Sequence, residues 1–114
     1  LEDRRNKLLK YYKDISNNYD QVNLSRITKL IELSKEKGIH LIFILSPKYG
    51  TQTLINLSRK IPKSNFIDMC DVQKFSALYE FKNSFDIGHL NDKGANLYTE
   101  LLAKEFLSLV SEPH

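Results

Sequence analysis

The sequence contains one cysteine, one methionine and no tryptophan in 114 residues, and no apolar run approaches the length that crosses a bilayer. A single cysteine, Cys70, excludes an internal disulfide and any C-x-x-C metal or redox pair. The single methionine is Met69, so Leu1 is expected to follow an upstream coding segment, and no charged-then-apolar signal stretch precedes it. Localisation is therefore unassigned. There is no glycine-rich phosphate loop and no dinucleotide fingerprint. His40, His89 and His114 lack the spacing of metal ligands, and a set built from Asp86, His89 and Asp92 needs a fourth partner from elsewhere. Neither a cofactor nor a metal is expected.

What is present begins with a net charge of +3, much of it in the opening segment, where Arg4, Arg5, Lys7, Lys10 and Lys13 surround Leu8, Leu9, Tyr11 and Tyr12. Basic residues among aromatics can meet phosphates or an anionic membrane. The plainer reading is an amphipathic helix with a solvated basic face, and no nucleic-acid partner is expected. This length gives one small domain that buries roughly two-thirds of its unfolded surface. The organisation expected is a basic lead-in helix over 1–22 and an α/β unit over 23–112.

Within that unit, Asn23 to Gly38 reads as a helix. Asn23 or Ser25 caps it, Leu24, Ile27, Leu30, Ile31 and Ser34 follow one face, and Gly38 supplies a left-handed stop behind Lys35 and Lys37. The run Ile39 to Leu45 is almost continuously apolar, which predicts a strand covered on both faces, as in parallel sheets. Thr51 caps a second helix to about Lys60, with a stripe of Leu54, Ile55, Leu57 and Ser58 that stops before Pro62. Asn65 to Met69 is a short second strand, completing a βαβ unit with parallel pairing. From Asp71 to Ser84 the periodicity blurs: Phe75, Leu78 and Tyr79 suggest a helical turn or two, and Phe81 and Phe85 read as plugs beneath a loop. A last helix starts after Asn91 and runs to about Val110, with Ala95, Tyr98, Leu101, Leu102, Phe106 and Leu109 as its buried face.

Three loops, 46–50, 68–72 and 84–91, leave element ends that point the same way, and in open parallel sheets ligands bind at that edge. The third loop places Asp86 three residues before His89, directly ahead of a helix. A general-base histidine needs its far nitrogen tied to a group that fixes the tautomer, and a carboxylate at this spacing reaches it. Gly88 allows the loop to close tightly. Most such tetrads are ordinary loop residues, so the surrounding sequence decides. Gly94 costs on the order of 1 kcal/mol in a first helical turn relative to alanine, which marks it as a point of close backbone approach. Asp68 reads as a cap or turn residue, and Lys48 and Tyr49 as solvent-facing loop residues or the lining of a substrate entrance.

The string Asp86-x-x-His89-Leu90-Asn91-x-x-Gly94-Ala95, followed by a long amphipathic helix, resembles the last conserved block of the SGNH hydrolases, also called the GDSL esterase and lipase family. Leu41 to Pro47 looks like that family's penultimate sheet strand, and Phe66-Ile67-Asp68 like its last. The resemblance implies a flavodoxin-like three-layer α/β/α sandwich with a parallel sheet, here with its amino-terminal part missing. It also implies acyl transfer through a serine nucleophile, from an ester to water or to another alcohol. Carried over by position, Asp86 is the orienting acid and His89 the general base.

The family's Gly-Asp-Ser, oxyanion-glycine and Gly-x-Asn-Asp blocks have no counterpart in the sequence. Ser46 is the best-placed internal serine, but Pro47 behind it lacks the amide that would serve an oxyanion. Ser84 lies too close to Asp86 to face the histidine. The expectation is therefore the carboxyl-terminal part of an ester hydrolase or O-acyltransferase, acting on an acyl ester with a serine from the missing amino-terminal segment and inactive by itself. The expected strand 39–45 would leave an unpaired apolar edge through which isolated chains self-associate. The alternative is a non-catalytic binding module on the same α/β framework.

Overall fold

The computed structural model describes residues 1–14 and 18–111. The stretch 15–17 of the lead-in segment and residues 112–114, including His114, lie outside the described residues.

The first helix, α1 (Glu2–Lys13), opens on Glu2 and Asp3 and closes on Lys10 and Lys13, charges that complement the helix dipole at each end. Lys7, Lys10 and Lys13 face solvent. The other face belongs to the core: Leu8 is fully buried, and Leu9, Tyr11 and Tyr12 pack against it. The unpaired carbonyls at its carboxyl end are met by Arg59, which donates to Tyr11 O at 3.3 Å, Tyr12 O at 2.8 Å and Asp14 O at 2.6 Å. The segment read as a lead-in is thus stitched into the unit it precedes.

Helix α2 (Gln21–Glu36) starts two residues earlier than its sequence pattern suggests, because the Asp20 carboxylate, rather than Asn23 or Ser25, caps the free amides by accepting from Asn23 N at 3.1 Å. It ends as expected on Gly38, whose φ of 70° allows Ile39 N to donate to Ser34 O and Gly38 N to Lys35 O. Ile31 is buried, whereas Leu30 lies half exposed on the flank of the stripe.

The first strand is shorter than the apolar run. Strand β1 covers Phe43–Leu45 and pairs in parallel with β2 (Phe66–Asp68), in the register Phe43 to Phe66, Ile44 to Ile67 and Leu45 to Asp68. Residues 39–42 fall outside the ladder because the chain opposite them, Lys63–Asn65, is a 3₁₀ turn. Side chains replace the ladder there: Asn65 Nδ2 donates to Leu41 O at 2.9 Å, and the His40 ring meets Ser64 O. Coverage on both faces is also incomplete, with Leu45 and Ile67 buried but Ile44 45% exposed.

Between the strands, helix α3 (Gln52–Ser58) is capped by Thr51, whose hydroxyl accepts from Leu54 N at 3.2 Å, and it buries Ile55 and Leu57. Leu54 lies outside that stripe and is exposed. The blurred stretch after β2 resolves into two 3₁₀ turns, Ser76–Tyr79 and Phe81–Asn83. Phe75, Leu78 and Tyr79 are buried, but Phe81 and Phe85 are 89% and 80% exposed and plug nothing. The second turn instead carries Asn83 inward, where its amide donates to Ala77 O at 2.8 Å.

The last helix, α4 (Asp92–Ser111), presents Leu97, Tyr98, Leu101, Leu102 and Leu109 to the core. Ala95 and Phe106 are exposed because the inward line runs through Gly94 and Glu105, and Glu105 meets Lys74 in an ion pair at 2.7 Å. The architecture is mixed α/β around a two-stranded parallel sheet. Among the described residues, no helix is long and apolar enough to cross a membrane.

Candidate catalytic site

Two turns of hydrogen bonding shape the loop between the 3₁₀ turns and α4. Ser84 and Leu90 form an isolated antiparallel bridge, Phe85 N donates to His89 O at 2.9 Å, and Asp86 N reaches the same carbonyl at 3.4 Å. The loop is thus folded back on itself with Asp86 and His89 side by side. Asn91 closes its base: the side-chain amide donates to Lys82 O at 2.9 Å, while the side-chain oxygen accepts from Gly94 N at 2.9 Å as the cap of α4. Gly94 is where this base lies hard against the helix.

Asp86 and His89 meet as their spacing predicts. His89 Nδ1 lies 2.7 Å from Asp86 Oδ1, and the same oxygen accepts from Gly88 N at 2.9 Å. Gly88 therefore contributes an amide, and its φ is not in the left-handed region. A carboxylate only accepts, so the proton of the neutral ring sits on Nδ1 and the lone pair on Nε2. Nε2 has no hydrogen-bond partner among the described residues. The His89 and Asp86 side chains are 66% and 50% exposed, so water competes for both.

The hydrogen bond from His89 has the largest effect and holds the Asp86 carboxyl below its ordinary value; burial opposes it, and the Gly88 amide adds a lesser lowering. A depressed carboxyl contributes stability above its unfolded value and loses it as pH falls through the folded one. In a ¹³C titration, the Asp86 carboxyl is expected to have its midpoint below the usual aspartate range and to move upward in His89→Ala. An identical midpoint in the two proteins would show that the bond does not persist in solution.

The three loops expected at the carboxyl edge of the sheet are joined by one residue and one hydroxyl. Lys48, in the loop after β1, donates from Nζ to Ser84 Oγ at 3.0 Å, His89 O at 3.2 Å and Asp86 O at 3.3 Å. Its amide donates to the Tyr79 hydroxyl at 3.0 Å, and that hydroxyl donates to Cys70 O at 2.8 Å in the loop after β2. Lys48 is 3% exposed, which corrects its reading as a solvent-facing or entrance residue; Tyr49 is exposed.

Asp68 is a turn residue, accepting from Cys70 N at 2.9 Å, and it also accepts from the Tyr12 hydroxyl at 2.6 Å. Burial pushes its carboxyl up against the opposing pull of those two bonds, and burial followed by Asp68 pushes the Tyr12 hydroxyl up as well. This pair lines a groove of about 760 Å³ with Asp71, Lys74 and Glu105, a groove that includes neither Asp86 nor His89.

No serine hydroxyl among the described residues hydrogen-bonds the imidazole. Ser84 is committed elsewhere: its hydroxyl donates to Glu80 O at 2.9 Å and accepts from Lys48. Ser46 is half-buried, and behind it Pro47 has no amide while the Lys48 amide is taken by Tyr79. Among the described residues, no group of three His, Cys, Asp or Glu side chains is placed to hold a metal ion.

What the arrangement can do chemically is accept a proton at Nε2 and stabilise the resulting imidazolium through Asp86. Comparison with protein-family models, with curated proteins and with solved structures finds no match to this chain.

Proposed function

We propose that this chain carries the acid and the base of an SGNH-type serine hydrolase or O-acyltransferase, within the carboxyl-terminal part of a three-layer α/β/α sandwich. The observation that carries this reading is the 2.7 Å bond from His89 Nδ1 to Asp86 Oδ1, with Nε2 of the exposed ring meeting no hydrogen-bond partner among the described residues. It is made by the two residues, in the order and at the spacing, that the family resemblance names. Support also comes from the parallel β1–β2 pair and the helix that follows the loop.

In this reading the serine and the oxyanion donors come from a segment preceding Leu1, whose strand adds to the open edge of β1. Nε2 takes the serine proton as its oxygen attacks the acyl carbonyl, and Asp86 holds the imidazolium. The proton then passes to the leaving alcohol as the acyl-enzyme forms. Water or an acceptor alcohol, deprotonated in turn by His89, completes the transfer. The same segment would cover a pair that now stands open to water, and a catalytic carboxylate works best where water is excluded.

A fluorophosphonate probe tests this on the full coding product, where one serine upstream of Leu1 should become labelled. The 114-residue chain alone should hydrolyse p-nitrophenyl acetate no faster than its His89→Ala variant. No label on the longer protein would favour the binding module. Turnover by the short chain that vanishes in His89→Ala would relocate the nucleophile to an internal serine.

A further inference from the structure

A lysine that is 3% exposed and carries three hydrogen bonds from one ammonium is uncommon enough to require a reason. Burial drives the Lys48 ammonium below its ordinary value, and only the Asp86 charge opposes that change. Its backbone is held in the left-handed region at φ 71°, a conformation that is strained for a non-glycine residue. Neighbours fix it there: Arg4 donates from Nε to Lys48 O at 2.8 Å and from Nη2 to Gly50 O at 3.0 Å, while the Lys48 amide is bound to Tyr79. The desolvation of the ammonium is offset by contacts to a single loop, the one that carries Asp86 and His89.

We propose that Lys48 is the positioning residue of the Asp86–His89 pair, its ammonium pinning Ser84 Oγ and the main-chain carbonyls of both pair members so that Nδ1 stays on Asp86 and Nε2 stays outward. The ammonium is buried and meets carbonyls rather than open space, so it acts on the pair and not on a substrate. His89 O takes Phe85 N, Asp86 N and Lys48 Nζ together, and Lys48 is the only one of those donors that lies outside the loop. Without it the loop keeps its local bonds but loses its tie to the sheet. This inference rests on Asp86 and His89 being the acid and base, and adds what holds them in register.

The test is Lys48→Met in the full chain, since methionine keeps an unbranched stem and meets the same cost at this φ, so that chiefly the ammonium is lost. With ring-¹⁵N histidine, the Nδ1–H tautomer of neutral His89 should dominate in the parent chain. The ratio of that tautomer to the Nε2–H form should fall by about tenfold in Lys48→Met, the order expected for losing a charged hydrogen bond. Exchange of the Phe85 amide should rise by about the same factor while the Met69 amide, which donates to Leu45 O at the end of the β1–β2 ladder, is unchanged. If the Met69 amide accelerates as well, the variant has loosened the whole fold, and Ser84→Ala then decides: it removes one acceptor of the ammonium and should shift the tautomer ratio in the same direction. An unchanged ratio in Lys48→Met with a stable ladder, or in Ser84→Ala where the ladder has loosened, would overturn the assignment. None of these readouts uses acyl transfer, so an unlabelled serine probe would remove the chemistry without touching this result.

Discussion

Gly94→Ala is expected to lower the melting temperature by roughly 5 to 10 °C, although alanine is the better helix former by about 1 kcal/mol. An added methyl would stand 2.0 Å from Asn83 O and 3.0 Å from Asn83 C, which is backbone and cannot turn aside as a side chain could. Asn83 is also anchored on every side. Its amide donates to Glu80 O at 3.0 Å, its side chain to Ala77 O at 2.8 Å, and its carbonyl accepts from Asn91 N at 3.2 Å. Relief requires moving α4 away from the 3₁₀ turn, and overpacking of this kind costs about 1 to 3 kcal/mol or more. The clash outweighs the propensity, so the sign is destabilising. Gly88→Ala is the control: its methyl would meet only Asp86 Oδ1 at 3.9 Å, and stability should change by less than about 1 kcal/mol. Thermal melts of both variants decide the matter, and a Gly94→Ala protein as stable as its parent would mean that α4 does not approach Asn83 as described.

That close approach was legible in the sequence because a glycine inside a helix is costly without a reason. Gly38 was legible on similar grounds, as was the Thr51 cap. The Asp86–His89 contact followed from a three-residue spacing, which needs no knowledge of the rest of the chain. Tertiary context decided what sequence reading missed. The apolar run from Ile39 to Leu45 has the composition of a strand throughout, yet a ladder needs a partner, and opposite residues 39–42 the partner is a 3₁₀ turn. Phe81 and Phe85 look like core residues by type, but the turn at Phe81–Asn83 sends Asn83 inward instead. Ala95 and Phe106 sit beside a stripe whose true line passes through a glycine and a glutamate, neither of which registers as apolar. Lys48 gave no signal, since nothing local marks a lysine after a strand as left-handed, buried and bonded to a loop that follows it by nearly forty residues.

Under the proposed acyl-transfer function, and with the upstream serine segment that it calls for, His89→Ala is expected to reduce the rate by about 10⁴- to 10⁶-fold, and Asp86→Asn by about 10⁴-fold. The first loss follows from removing the group that, in that proposal, takes the serine proton. The second follows from how the bonds around Asp86 are shared. Oδ1 accepts from Gly88 N at 2.9 Å and from His89 Nδ1 at 2.7 Å, so one oxygen serves both donors. An asparagine must put either its oxygen or its amide there: the oxygen would keep both donors, whereas the amide would give up the Gly88 bond and turn its N–H toward the ring. The ring would then accept at Nδ1 and carry its proton on Nε2, where the base must be free. An amide also carries no charge to balance the imidazolium in the transition state. The effect should appear in kcat rather than KM, because neither residue loses a ground-state contact with substrate in this scheme. Rates within tenfold of the parent in both variants would dissociate the pair from catalysis. A loss in His89→Ala with Asp86→Asn left intact would retain the base and assign its orientation to the loop carbonyls that Lys48 holds.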